Sequence, residues 1–285
     1  MSWGVKSDGT TPRIVTSTLW EVRFPRLVIA LAVGAGLGCA GALLQGIFAN
    51  PLAEPSIIGV SSGGAVFASG LLAIASLAGV ERSYGFLKWG TALAAFIGAL
   101  LTTLLVYSLS RVQGKTVVVN LILVGVAINA MAGGFVTLFS FIGGTMAQSQ
   151  VVFWQLGSLA GAGWSSAVIT LIITVIGIVI ACLCAPKMDL LALGENQARH
   201  LGVNVERFRL CVIILVAALV GVGVAFAGVI AFVGLIVPHA IRLIIGPQHK
   251  WLLPTSAFGG AFVLLVADTC ARTIISTAEP VSYTH

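Results

Sequence analysis

Residues 163–184 read Gly163-Trp-Ser-Ser-Ala-Val-Ile-Thr-Leu-Ile-Ile-Thr-Val-Ile-Gly-Ile-Val-Ile-Ala-Cys-Leu-Cys184, twenty-two positions without a charged residue. About 20 apolar residues are what a helix needs to cross the hydrocarbon core of a bilayer. In lipid the backbone must satisfy its own hydrogen bonds, which makes such a run a helix. The same window, moved outward, finds further runs at 24–48, 57–78, 86–109, 117–141, 209–227, 228–245 and 251–275. The run at 228–245 is short, with its apolar character closing at the Pro238-His239 pair. Residues 148–160 read as an interfacial half-helix, with Trp154 as a boundary anchor. Outer-membrane strands would be about 10 residues long and alternate polar with apolar, which these runs do not. The expected fold is all-α: a polytopic transmembrane helical bundle of about eight spans.

Composition points the same way. Of 285 residues, 58% are hydrophobic and 8% charged, against about 25% charged in an ordinary soluble domain. Too few charges are present to cover a water-facing surface. The 34 glycines fit close helix approach in a membrane. The net charge of +6 comes from basic residues in short loops, so it reads as topology, and no nucleic-acid partner is expected. With the loop 185–208 taken as cytoplasmic, Arg111, Lys115, Lys187, Arg199, Arg207, Arg242 and Lys250 fall on one side. Both ends of an eight-span chain then lie on the other side. The division is a polar N-terminal segment, 1–22, a transmembrane domain, 24–275, with a cytoplasmic loop at 187–206, and a short tail, 276–285. The five cysteines form no CxxC and no Cys/His cluster of metal spacing, so packing is their expected role.

Enzymatic signatures are missing. Gly114-Lys115-Thr116 has the end of a phosphate-binding P-loop, but the position of its first glycine is Leu109 and no strand precedes it. No HExxH or GxSxG is present. The chain is expected to be no enzyme, to bind no metal and to carry no cofactor of its own.

Three polar stretches carry information. Arg23-Phe-Pro-Arg26 opens the first apolar run, which closes at Gln45-Gly-Ile-Phe-Ala-Asn50-Pro51-Leu-Ala-Glu-Pro55. Two arginines at a helix mouth suit a carboxylate partner, and snorkelling at the interface is the plainer alternative. The second stretch is Asp189-Leu-Leu191-Ala192-Leu193-Gly194-Glu195-Asn-Gln-Ala198-Arg-His-Leu201-Gly202. Residues 194–201 fit a short helix with Ala198 and Leu201 on one face, and leucines exposed at a membrane surface are either buried internally or docked on a partner. The third runs from Phe232 through Pro238-His239-Ala-Ile-Arg242 to Asp268 and Arg272. His239 reads as a relay or as a helix-end histidine bonded to backbone, and Asp268 as a functional acid or the partner of Arg272.

Taken together, Arg-x-Pro-Arg, Asn-Pro-Leu-Ala-x-Pro, Gly-Val-Ser-x-Gly, Leu-Ala-Leu-Gly-Glu, Phe-Val-Gly-Leu-Ile-Val-Pro-His-x-x-Arg and Ala-Asp…Ala-Arg resemble the iron-siderophore, haem and vitamin B12 permeases of bacterial ABC importers. They occur in the family's order over residues 23–272. The resemblance implies a homodimer in the inner (cytoplasmic) membrane, with ten helices per subunit and two ATPase subunits, which carry the ATP, docked below. It implies that Arg23, Arg26 and Arg272 receive acidic residues of a periplasmic or lipid-anchored substrate-binding protein. It assigns Leu191, Ala192, Leu193, Gly194, Glu195, Ala198, Leu201 and Gly202 to ATPase coupling. Asn50, Pro51, Pro55, Pro238, His239, Arg242 and Asp268 match its structural motifs. The family's first and last helices have no counterpart among the apolar runs, so a truncated chain is expected. An ion-driven secondary transporter and a non-transporting remnant stay open as alternatives.

Overall fold

The computed structural model describes residues 19–79 and 84–274. Ten α-helices follow one another: α1 Phe24–Ile47, α2 Val60–Leu77, α3 Tyr84–Leu109, α4 Val118–Ile142, α5 Gly144–Leu156, α6 Trp164–Ala192, α7 Glu195–His200, α8 Val205–Ala227, α9 Val233–Ile245 and α10 His249–Ile274. A short π-helical turn, Leu19–Arg23, leads into α1, and a 3₁₀ turn, Pro55–Ile58, precedes α2.

α1 is the axis of the bundle. It is apolar all round, the pattern of a helix enclosed by others, and Ile29, Val33, Cys39, Leu43, Leu44 and Ile47 are all buried. Its glycines set how near its neighbours come. A Cβ on Gly34 would strike the Gly260 carbonyl oxygen of α10, one on Gly38 that of Ser256, and one on Gly41 that of Gly234 in α9. The pairing of 34 with 260 and 38 with 256 makes α1 and α10 antiparallel. α2 and α3 pack in the same manner, with Gly63 against Gly98 and Thr102. Small residues at such crossings allow backbone-to-backbone contact, the main source of helix association where lipid tails are as apolar as leucine.

Among the described residues seven helices are long and apolar enough to span a membrane, where eight were expected from the sequence. The difference lies at 228–245. α9 has 13 residues, about 20 Å at 1.5 Å per residue, too short for a hydrocarbon core of about 30 Å. The preceding apolar residues are not helical. Gly228, at φ 72°, stands against the Trp154 carbonyl, and Phe232, at φ 67°, caps α9. This stretch is satisfied inside the protein: the Val229 N–H donates to the Trp154 carbonyl at 3.3 Å and the Phe232 N–H to Glu54 Oε1 at 3.1 Å. Irregular backbone at membrane depth is tolerated only when it is so protected.

Other boundaries shift for local reasons. The half-helix expected at 148–160 is α5, which begins at Gly144 and ends at Leu156. The Trp154 ring packs against clusters built on α2, α3 and α8. α6 does not stop at Cys184. It continues through Pro186 to Ala192, because one lost hydrogen bond is offset by burying Ala185, Met188 and Leu191. Likewise Pro238 and His239 lie inside α9 and do not end it. The loop at 110–117 holds a small hairpin, Arg111–Val112 paired with Lys115–Thr116. Gln113 and Gly114 both have positive φ, as the tight turn between twisted strands requires.

Two opposite faces result. Arg26 of α1 meets Asp268 of α10 on one, so the first and last described helices have their outer ends together there. The other carries α7, the hairpin and the α9–α10 junction.

Candidate functional site at the two faces of the bundle

On the α7 face the chain leaves α6 through Leu193 and turns at Gly194, whose φ of 119° is open to glycine. After six residues of helix it turns again at Gly202, at φ 84°. Asn204 then caps α8, its side chain accepting from the Arg207 N–H at 3.2 Å. Leu191 and Ala198 are buried and hold α7 against the bundle, whereas Leu193 and Leu201 are 62% and 61% exposed. Ala192, Gly194 and Gly202 are exposed as well. The sequence placed Ala198 and Leu201 on one face; in the structure they point to opposite environments, since Leu201 follows the helix in a turn and Ala198 faces in. The segment therefore presents two separated leucines on an otherwise polar rim, a pattern suited to seating in a partner's cleft.

Beneath α7 lies a charge network that the sequence reading had only in fragments. Arg209, on the first turns of α8, is 2% exposed. Its Nη2 donates to Glu195 Oε1 at 2.6 Å, and its Nη1 stands 3.6 Å from Glu206 Oε1. Glu206 Oε2 also accepts from the Thr116 hydroxyl at 2.7 Å and the Thr116 backbone N–H at 3.2 Å. Arg199 of α7 reaches Glu195 at 3.8 Å and Glu206 at 4.0 Å. One buried guanidinium thus pins α7, α8 and the hairpin together. Glu195 faces this cation, so its carboxylate is in part an internal counter-ion. A cleft of about 390 Å³ opens between the hairpin and the α7–α8 turn, lined by Lys115, Arg199, Asn204 and Glu206 among others. The Val-Gln-Gly-Lys spacing at 112–115 was the one available sequence signal for the hairpin.

The motif around Asn50 builds the approach to α9. Asn50 Oδ1 accepts the Leu52 N–H at 2.9 Å, closing a turn that Pro51 starts. Pro55 opens the 3₁₀ turn and packs where a Cβ on Gly234 would meet it. Glu54 caps α9, and the buried Gln45 donates its Nε2 to the Leu235 carbonyl at 3.1 Å. Farther along α9, Pro238 is buried. His239 Nδ1 and Arg242 Nε and Nη2 are buried without a hydrogen-bond partner among the described residues.

On the opposite face, Asp268 is 9% exposed and takes two arginines. Arg26 donates Nε and Nη2 to Oδ1 at 3.1 and 2.9 Å, a forked pairing. Arg272 Nε lies 3.2 Å from Oδ2. The sequence offered Asp268 as a functional acid or the partner of Arg272; the structure adds Arg26 and makes it a clasp between α1 and α10. Arg23 is exposed one turn before Arg26. Trp20 meets Phe24 edge to face and Trp164 at a tilt, the Trp164 indole N–H donating to the Trp20 carbonyl at 2.8 Å. Two guanidinia and one carboxylate, with Arg23 alongside, leave this face positive.

Asp268→Asn removes the negative charge that both arginines share and replaces one acceptor oxygen with a donor, so a loss of about 2 kcal/mol is expected. It should appear as a lower detergent-unfolding midpoint. An unchanged midpoint would mean that the clasp contributes nothing to holding α1 and α10 together.

Comparisons place this arrangement among known proteins. Residues 5–284 match the model of the FecCD transport family. The chain is 39% identical over 263 residues to the hemin transport system permease protein HmuU of Yersinia pestis, covering 92% of this chain and 77% of that one. It is 38% identical over 271 residues to the cobalamin import system permease protein BtuC of Halobacterium salinarum, covering 95% and 70%. Among solved structures it is similar to an inward-facing conformation of a putative metal-chelate type ABC transporter, with TM-score 0.82, 32% identity, and 98% and 85% of the two chains covered. PsaBC from Streptococcus pneumoniae, at 18% identity and TM-score 0.57, shares the fold. With its motifs in order, its helices superposable and nearly every residue matched, the chain is a multi-pass membrane protein of the FecCD transport family.

Proposed function

We propose that this chain is the membrane-spanning permease subunit of an ATP-binding-cassette importer in the bacterial cytoplasmic (inner) membrane. The observation that carries the reading is α7: a six-residue helix, clamped from beneath by a buried arginine and flanked by the exposed Leu193 and Leu201. Such an element transmits a push from a soluble partner, since its own contacts are rigid and its outer face is free. Two ATPase subunits, which carry the ATP, seat there against a homodimer of this chain. The substrate-binding protein docks on the opposite face, its acidic residues meeting Arg23 and Arg272 beside the Arg26–Asp268 clasp. The substrate is an iron complex (haem or a ferric siderophore) or a corrinoid, the class to which the hemin and cobalamin permeases among its relatives point. Transport is by alternating access: closure of the ATPases moves α7, and with it the helices that flank the pathway.

The test is reconstitution of the full chain in proteoliposomes with the ATPase and binding protein encoded beside it. ATP-dependent accumulation of hemin, a ferric siderophore or cobalamin is expected. Accumulation that persists without the ATPase would overturn the reading in favour of a gradient-driven transporter. In the same system, Arg23→Glu combined with Arg272→Glu is expected to weaken docking of the binding protein by more than about ten-fold, or 1.4 kcal/mol. An unchanged dissociation constant would remove these arginines from the docking surface.

A further inference from the structure

Two polar ties leave the neighbourhood of α7 for different helices. Glu195–Arg209 reaches α8. The second lies before the Gly194 turn, in the last turn of α6. There Asp189 Oδ1 accepts the backbone N–H of His249 at 2.8 Å and stands 2.7 Å from His249 Nδ1. A single carboxylate oxygen thus holds the first residue of α10 by its backbone and by its ring. His249 is 3% exposed, and a Cβ on Gly46 of α1 would strike its ring and the Met188 side chain. The ring is therefore shut off from solvent and lies close against Gly46 and Met188. Beyond this joint α10 runs as one helix to Ile274, in backbone contact with α1 at Gly38 and Gly34, and its far end carries Asp268 and Arg272.

Displacement of the α6–α7 joint therefore cannot be absorbed at the start of α10. We propose that Asp189 and His249 are positioning residues that carry movement of α7 to α10, and through α10 to the arginine clasp on the opposite face, in parallel with a separate line through Arg209 to α8. This rests on the reading of α7 as the ATPase-driven element. Packed helices shift as units with discrete arrangements, and a coupling line is established by cutting it and leaving its neighbour intact. The two ties permit that test.

The experiment uses the full chain in complex with its ATPase, with the native cysteines replaced by alanine. Spin labels are placed at Phe262 on α10 or Ile214 on α8, both exposed, each measured against a label at the exposed Leu77 of α2. Distances are taken without nucleotide and after trapping with ATP and vanadate. In the wild-type chain both are expected to shift by about 2 Å or more. With Asp189→Ala or His249→Ala the α10 shift is expected to fall below half while the α8 shift persists. His249→Asn, which keeps an N–H near the Nδ1 position, should recover the α10 shift, and Glu195→Gln should reduce the α8 shift instead. Loss of both shifts together in Asp189→Ala, the mark of a merely structural role, would overturn the proposal, as would persistence of both. If no ATPase complex forms with the wild-type chain, the permease reading fails and this inference with it. That failure is distinguishable because it appears before any variant is made.

Discussion

Gly38→Leu is expected to abolish the folded chain, and Gly38→Ala to lower its stability by about 3 kcal/mol. A Cβ at this position would strike the Ser256 carbonyl oxygen and press on Gly260 Cα, so the obstacle is backbone and no side chain can rotate to make room. Moving α10 outward would also pull Gly260 away from Gly34 and strain the Arg26–Asp268 clasp at the end of the same helix. Unfolding by SDS titration of the detergent-solubilised chain reads the effect. Gly133→Ala is the control, since nothing lies within 4 Å of the Cβ it would add; it should change stability by less than about 0.5 kcal/mol. Equal midpoints for Gly38→Ala and Gly133→Ala would show that α1 and α10 do not meet as described.

The second large effect is expected from Glu195→Lys. The carboxylate lies 2.6 Å from an arginine that is 2% exposed, and its replacement sets a lysine against that buried cation, leaving Glu206 as the nearest compensation. Leaving a buried charged donor unsatisfied costs about 3 kcal/mol or more. The variant should therefore both lose ATPase association and unfold more readily than the parent. Combining it with Arg209→Leu should recover much of the stability, because an apolar residue needs no counter-ion, while the association stays lost. If Glu195→Lys leaves the unfolding midpoint where it was, the network beneath α7 is not what fixes this helix.

How far the sequence anticipated this can be followed residue by residue. Apolar runs are long and the charges between them few, so the class of fold and all seven long spans among the described residues were visible from hydropathy alone. The run at 228–245 misled because hydropathy reports burial in apolar surroundings, not helix; Gly228, Phe232 and the reach of Glu54 from a distant loop decide the break. Pro238 misled in the opposite sense, read as a boundary where the helix carries through, and the run at 163–184 stopped short of a helix that continues through Pro186 to Ala192. The short helix at α7 was legible because Gly194, Gly202 and the buried Ala198 are local features. Its clamp was not. Arg209 is fourteen residues from Glu195, and Thr116 is ninety from Glu206. Asp189 and His249 are sixty apart, and Arg26 is 242 residues from Asp268. Pairings at such separations are set by how the helices pack, which no window on one sequence contains.

The measurement closest to the central claim is co-purification, in detergent, of the full chain with the ATPase encoded beside it, compared with Leu193→Asp. Leu193 is 62% exposed and takes no part in the Arg209 network, so an aspartate there leaves the fold alone and alters only what α7 offers a partner. The account predicts a stable complex with the parent chain and a loss of about ten-fold or more in association with the variant, at unchanged thermal stability of the permease. Equal recovery of the ATPase with both chains would contradict the assignment of α7 as the docking element. A parent chain that is folded yet binds no ATPase would contradict the importer reading itself.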